Sequence, residues 1–174
     1  LRMAELMGDL MGRDRTASEV FNFTTFRASK SSENSTRLFR TAPESIAPTA
    51  LAFITTSSSA SGSELVANAM LPYTRGNISL VGGNTFGKPV GQIAIDRAAC
   101  DDRLRIVSVA MENADRQGDY YNGLAPVFAT RGGRTCTASD DFSRPMGSPG
   151  EASTARAIGV LKGDSCTAIA GGPD

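Results

Sequence analysis

Apolar residues recur at Leu1, Met3, Ala4, Leu6, Met7, Leu10 and Met11, a helical period that predicts a helix ending near Gly12. Val20 to Phe26 (VFNFTTF) switches to β-branched and aromatic residues and reads as a strand. Residues 28–36 are polar and read as a loop, and Pro43 and Pro48 bracket a second connector. The short apolar run 51–56 (LAFITT) fits a buried strand of a parallel or mixed sheet. A serine-rich turn, 57–63, leads into a helix over 64–71. Strands follow at 78–81, 90–95 and 104–111, the first two separated by a turn at 82–87. Residues 112–150 read mainly as loop, and Ser148 with Glu151 gives a capping-box spacing for a last helix to about Leu161. Strands alternating with helices predict an α/β domain, with no repeat and no interdomain linker.

The charge balance narrows the partners. There are 18 Lys+Arg against 18 Asp+Glu, which argues against nucleic acid or an anionic membrane surface as the main target. No apolar run reaches the ~20 residues of a membrane span. Histidine is absent, which removes Ser-His-Asp and Cys-His hydrolases and histidine zinc sites. Of the cations, only Lys30, Lys88 and Lys162 can lose a proton to act as a base, since guanidinium stays charged. Cys100, Cys136 and Cys166 are too far apart for a CxxC site. They read either as one bridge, Cys136 to Cys166, with a leftover thiol, or as three small buried residues. Asp101–Asp102 and Asp140–Asp141 read as solvated turn residues rather than metal ligands. The sequons at Asn22, Asn34 and Asn77 are what a chain rich in Asn, Ser and Thr produces by chance.

Two segments carry candidate chemistry. In VGGNTFGKPVGQ (81–92), Gly82, Gly87 and Lys88 have the spacing of a phosphate-binding loop. Pro89 stands where that loop needs Ser or Thr, and a strand follows where it needs a helix, so the nucleotide reading fails. In SSSASGSELVANAM (57–70), Ser61 and Glu64 fit a capping box, which is a complete structural explanation for both. The same turn also suits a nucleophile. A serine between strand and helix stands above the sheet, and the helix N-terminus offers N–H groups to a developing oxyanion. Without histidine its base is a lysine or a carboxylate.

Ser59-Ala60-Ser61-Gly62-Ser63-Glu64, then Thr85-Phe86-Gly87-Lys88, then Gln92, together resemble the carboxyl-terminal processing (tail-specific) serine peptidases. That resemblance implies a ClpP/crotonase-like α/β core, with a mixed or parallel sheet flanked by helices and incomplete at its N-terminus. It implies Ser61 as nucleophile, Lys88 as general base, Gln92 as the residue orienting the lysine, and the Gly62 N–H as oxyanion donor. No metal or cofactor is implied. The substrate would be a polypeptide, cut at C-terminal or unfolded segments in an extracytoplasmic, periplasmic or secreted setting. Alternation places Lys88 and Gln92 on one face of a strand, and Phe86, Val90 and Leu65 are candidates for the apolar pocket a neutral lysine needs.

The chain also departs from that pattern. Its Ser-to-Lys interval, 27 residues, is about two longer than that pattern's, which the turn Thr74-Arg75-Gly76-Asn77 can absorb, and Pro89 replaces a usual Gly. The family's glycine-rich turn, the PDZ domain and the first part of the core have no counterpart in residues 1–174. The expectation is therefore a downstream piece of a catalytic domain, its dyad region at 51–95, whose partner is its own upstream part and whose copies could form a homo-oligomer. Asp119 to Leu124 also resembles a segment that follows the dyad, without assignable chemistry. Two other readings remain: an inactive relative that binds peptides as an added strand, and an α/β domain in which Ser61 is only a helix cap.

Overall fold

The computed structural model describes residues 1–170. Four helices and seven strands run in the order α1 (Arg2–Leu10), β1 (Val20–Phe26), β2 (Ser35–Leu38), β3 (Leu51–Thr55), α2 (Gly62–Met70), β4 (Ile78–Gly82), β5 (Val90–Arg97), β6 (Asp102–Glu112), α3 (Ala125–Thr130), β7 (Arg134–Thr137) and α4 (Ala152–Leu161). The strands form two sheets. One is antiparallel, ordered β2-β1-β6-β5, and the other is parallel, ordered β3-β4-β7. The expected α/β architecture is present, a mixed fold whose sheets are flanked by helices.

Helix α2 lies at the centre. Every residue from Glu64 to Met70 is buried, so the helix has no solvent face and must be covered all round. Its Leu65, Val66, Ala69 and Met70 join Phe21, Phe39, Ile78, Leu80 and Phe128 in the main core. Phe39 stacks edge-on against Phe21 (5.5 Å) and Tyr73 (5.3 Å). Buried Asn113 donates from Nδ2 to the Asn68 carbonyl at 3.1 Å, and Asn68 Nδ2 donates to the Gln117 carbonyl at 2.9 Å, fixing α2 to the turn after β6.

Several expectations change. The polar stretch 28–36 contains a 3-10 turn, Ala28–Glu33, and the start of β2. The segment expected to be mainly loop holds α3 and β7, the third parallel strand. Helix α4 is capped by Glu151, not Ser148, because the Glu151 carboxylate itself accepts the Ser153 and Thr154 N–H groups. Helix α1 forms where its period predicts, yet it buries Ala4, Gly8 and Asp9 and leaves Leu1, Met3, Leu6 and Met7 exposed. Gly8 is in contact with the Phe21 ring, where a Cβ would stand 2.2 Å from the ring edge. Asp9 accepts the Arg40 N–H at 2.7 Å and pairs with Arg37 at 2.5 Å.

Cys136 and Cys166 are joined by a disulfide, with Cα atoms 5.5 Å apart. Cys100 is a free, exposed thiol, which excludes three buried cysteines. Beyond Val109, where pairing with β1 stops, β5 and β6 continue as a two-stranded ribbon. The cross-strand pairs Ile93/Ile106 and Ile95/Leu104 share one face of it, all at least 41% exposed. No helix of the described residues is long and apolar enough to cross a membrane.

Candidate functional site

The two sequence segments run side by side from the ends of β3 and β4. Gly83 N donates to the Thr55 carbonyl and Thr55 Oγ1 to the Gly83 carbonyl, both at 2.8 Å. One step on, Phe86 N donates to the Ser59 carbonyl at 2.9 Å. The turn carrying Ser59 closes on itself, with Ser59 N donating to the Thr56 carbonyl at 2.9 Å. Ser61 then sits at the N-cap of α2 with φ +56° and ψ −111°, in the left-handed half of backbone space. A non-glycine residue held there carries strain of about 1–3 kcal/mol. Gly62 is the first helical residue, where an N–H has no intrahelical acceptor.

Glu64 joins the segments. Its side chain is fully buried. One carboxylate oxygen, Oε2, accepts the Ser61 N–H at 2.8 Å and the Lys88 N–H at 2.9 Å, and Oε1 accepts the Gly87 N–H at 2.7 Å. The main-chain nitrogens of Ser61 and Lys88 therefore lie no farther apart than the sum of 2.8 and 2.9 Å. Sequence reasoning gave Glu64 only the capping bond to Ser61. Its reach to Gly87 and Lys88 joins residues 23 and 24 positions apart and has no signature in a capping box.

A second clasp holds the Lys88 loop from behind. Asn84 Oδ1 accepts the Ala125 N–H at 2.9 Å, Asn84 Nδ2 donates to the Asn122 carbonyl at 2.8 Å, and Thr85 Oγ1 accepts the Leu124 N–H at 2.8 Å. Gly87, at φ +90°, lies so close to the Tyr121 carbonyl that a Cβ would approach to 2.3 Å. Residues 119–124, without a role in the sequence, thus form the wall behind the loop. Tyr120 is buried near Glu64, and both its burial and that carboxylate push its phenol up, keeping it neutral.

Lys88 is half-buried and Gln92 is exposed. Among the described residues no hydrogen bond joins the Ser61 hydroxyl, the Lys88 amine and the Gln92 amide. Pro89 immediately precedes β5, an edge strand, and its carbonyl accepts the Met111 N–H at 2.8 Å, so the lost donor costs no ladder bond. Lys88 is followed by that strand and not by a helix, unlike a phosphate-binding loop. Of the expected pocket residues, Leu65 is buried and Val90 half-buried, but Phe86 is 65% exposed and shields nothing. The turn at Thr74–Asn77 forms, closed by Asn77 N donating to the Thr74 carbonyl at 2.9 Å. A cavity of about 420 Å³ opens beside the Ser61 turn, lined by Met3, Met7, Phe53, Ser59, Ala60 and Gly62.

No protein-family model and no curated protein sequence matches the chain. Solved structures do. A putative S41 protease from Bacteroides fragilis superposes with a TM-score of 0.75 at 17% identity, over 93% of this chain and 41% of that one. A photosystem II D1 C-terminal processing protease superposes with a TM-score of 0.51 at 18% identity, over 70% of this chain and 29% of that one. The fold resembles part of these protease structures, and this chain spans less than half the length of either.

Proposed function

We propose that this chain is the downstream part of a serine endopeptidase domain working through a Ser-Lys dyad. The observation that carries the reading is the shared Glu64 oxygen, which brings the main chains of Ser61 and Lys88 together although 27 positions separate them. In this mechanism the neutral Lys88 amine takes the Ser61 hydroxyl proton as Oγ attacks a peptide carbonyl. The Gly62 N–H, at the positive end of α2, receives the oxyanion. Protonated Lys88 then passes its proton to the departing amine, and water cleaves the acyl-enzyme. Gln92 orients the amine.

The substrate is a polypeptide with an exposed C-terminal or unfolded segment. The upstream part of the catalytic domain supplies the missing wall and a second oxyanion donor, so residues 1–174 alone are weakly active or inactive. The Cys136–Cys166 disulfide supports an oxidising, extracytoplasmic setting. The test is a fluorophosphonate probe applied to the full-length protein. Labelling that disappears in Ser61→Ala and Lys88→Ala, and that rises with pH as an amine deprotonates, supports the dyad. An unlabelled wild-type protein, or a flat profile between about pH 6 and 10, sinks it and leaves Ser61 a helix cap or part of a peptide-binding relative.

A further inference from the structure

We infer that Glu64 is a positioning residue for this site, a role that rests on the dyad reading above. A serine nucleophile could take its base from a lysine or a carboxylate, and Glu64 is the carboxylate nearest in sequence. Its geometry excludes it as that base. Both oxygens are occupied by main-chain N–H groups at 2.7 to 2.9 Å, and no part of the side chain reaches solvent or substrate. What it does instead is hold two turns at one separation. Ser61 is kept at a backbone geometry serine does not favour, and Lys88 is kept at the mouth of an edge strand. No hydrogen bond among the described residues links the side chains of those two residues directly; the carboxylate ties their main chains, beside the Phe86 N to Ser59 carbonyl bond between the same turns. Charge-assisted bonds to three donors are stiffer than neutral ones, which suits a spacer.

Gln is the informative replacement, because it keeps shape and loses one acceptor. In either amide orientation an NH2 group faces at least one of the three main-chain donors, so Glu64→Gln frees Gly87, or Ser61 together with Lys88. The expected result, in the full-length protein, is a kcat and a fluorophosphonate labelling rate reduced roughly 10- to 100-fold, the penalty of misplacing reacting groups by about 1 Å. KM stays at the wild-type value, because Glu64 does not touch substrate. Amide exchange quickens together in residues 59–63 and 84–90 and nowhere else. Wild-type kcat in a folded Glu64→Gln protein overturns the inference, as does a loss confined to KM. Should Glu64→Gln not fold, Glu64→Asp keeps the charge and shortens the reach by one methylene, with the same expectation. Loss of fold in both variants makes Glu64 a stability element alone and overturns the positioning role. An unlabelled wild-type protein is a different failure, visible before any change at Glu64, and it removes the dyad reading along with this one.

Discussion

The disulfide offers the most quantitative prediction. Cys136 lies on β7 and Cys166 in the segment that returns beside it after α4, a sequence separation of 30. That segment is otherwise held by Thr137 N donating to the Thr167 carbonyl at 2.8 Å and Ile169 N donating to Thr135 Oγ1 at 3.2 Å. In the chain-entropy account, closing a loop of about 30 residues removes about 12 cal/mol/K from the unfolded ensemble, or about 3.6 kcal/mol at 25 °C. For a chain of this size each kcal/mol moves the melting midpoint by about 2–4 °C, so reduction should lower Tm by roughly 7–14 °C. The assay is circular-dichroism melting of the oxidised protein against protein reduced with a phosphine. Reduction is preferable to substitution, since truncating fully buried Cys136 would add a cavity cost. Alkylation of the native oxidised protein should modify Cys100 alone. A shift under about 3 °C would refute the reasoning, by showing that the bridge closes a loop already ordered in the unfolded state.

Three further outcomes follow from particular contacts. Gly87→Ala, which drives a Cβ to 2.3 Å from the Tyr121 carbonyl at φ +90°, should cost at least about 2 kcal/mol in denaturant unfolding and abolish probe labelling; wild-type stability would mean that the clasp yields freely. Tyr120→Phe removes a buried hydroxyl with no hydrogen-bond partner among the described residues, and should raise stability by about 1 kcal/mol; a comparable loss would reveal a partner. Four donors on Ser153 and Thr154 hold the Glu151 carboxyl down at about 2, below its ordinary 4.5, so its cap stabilises α4 above the ordinary value and is lost as pH falls through about 2. The Tm gap between wild type and Glu151→Gln should therefore be full above about pH 5 and close toward pH 2; a constant gap would contradict that cause.

Much of the scaffold was legible because its strands are rich in β-branched and aromatic residues, although β3 buries only Thr55 and leaves Ile54 exposed. VFNFTTF, LAFITT and ISLV read as strands from composition alone, and each forms one to within a residue. STRL and RTCT did not, since β2 has no buried residue and β7 buries only Cys136, so the neighbouring strand decides both. The period of α1 was visible but not its buried face, because Gly8 and Asp9 win contacts that a hydropathy pattern counts against them. At the candidate site, Ser61, Gly62, Lys88 and Gln92 carried assigned roles as motif residues, whereas Asn84 did not stand out, and Thr85 and residues 119–124 lay in resembling stretches without a role of their own. Hydrogen bonds to backbone groups some forty positions away leave no local pattern.

The β5–β6 ribbon makes a single strand behave as two materials. At its root, Val90 pairs with Ala110, which also pairs with Thr25 of β1, so amides there open only when the sheet does. Toward its tip, Asp96 and Arg97 face Arg103 and Asp102 across two strands with no third, and ladder bonds are the main restraint. Protection against deuterium should fall steeply along those eight residues. A protease added under native conditions should nick the turn around Ala98–Cys100 first. Cleavage there would leave the root of β5, and the Lys88 turn that precedes it, folded in an otherwise intact molecule.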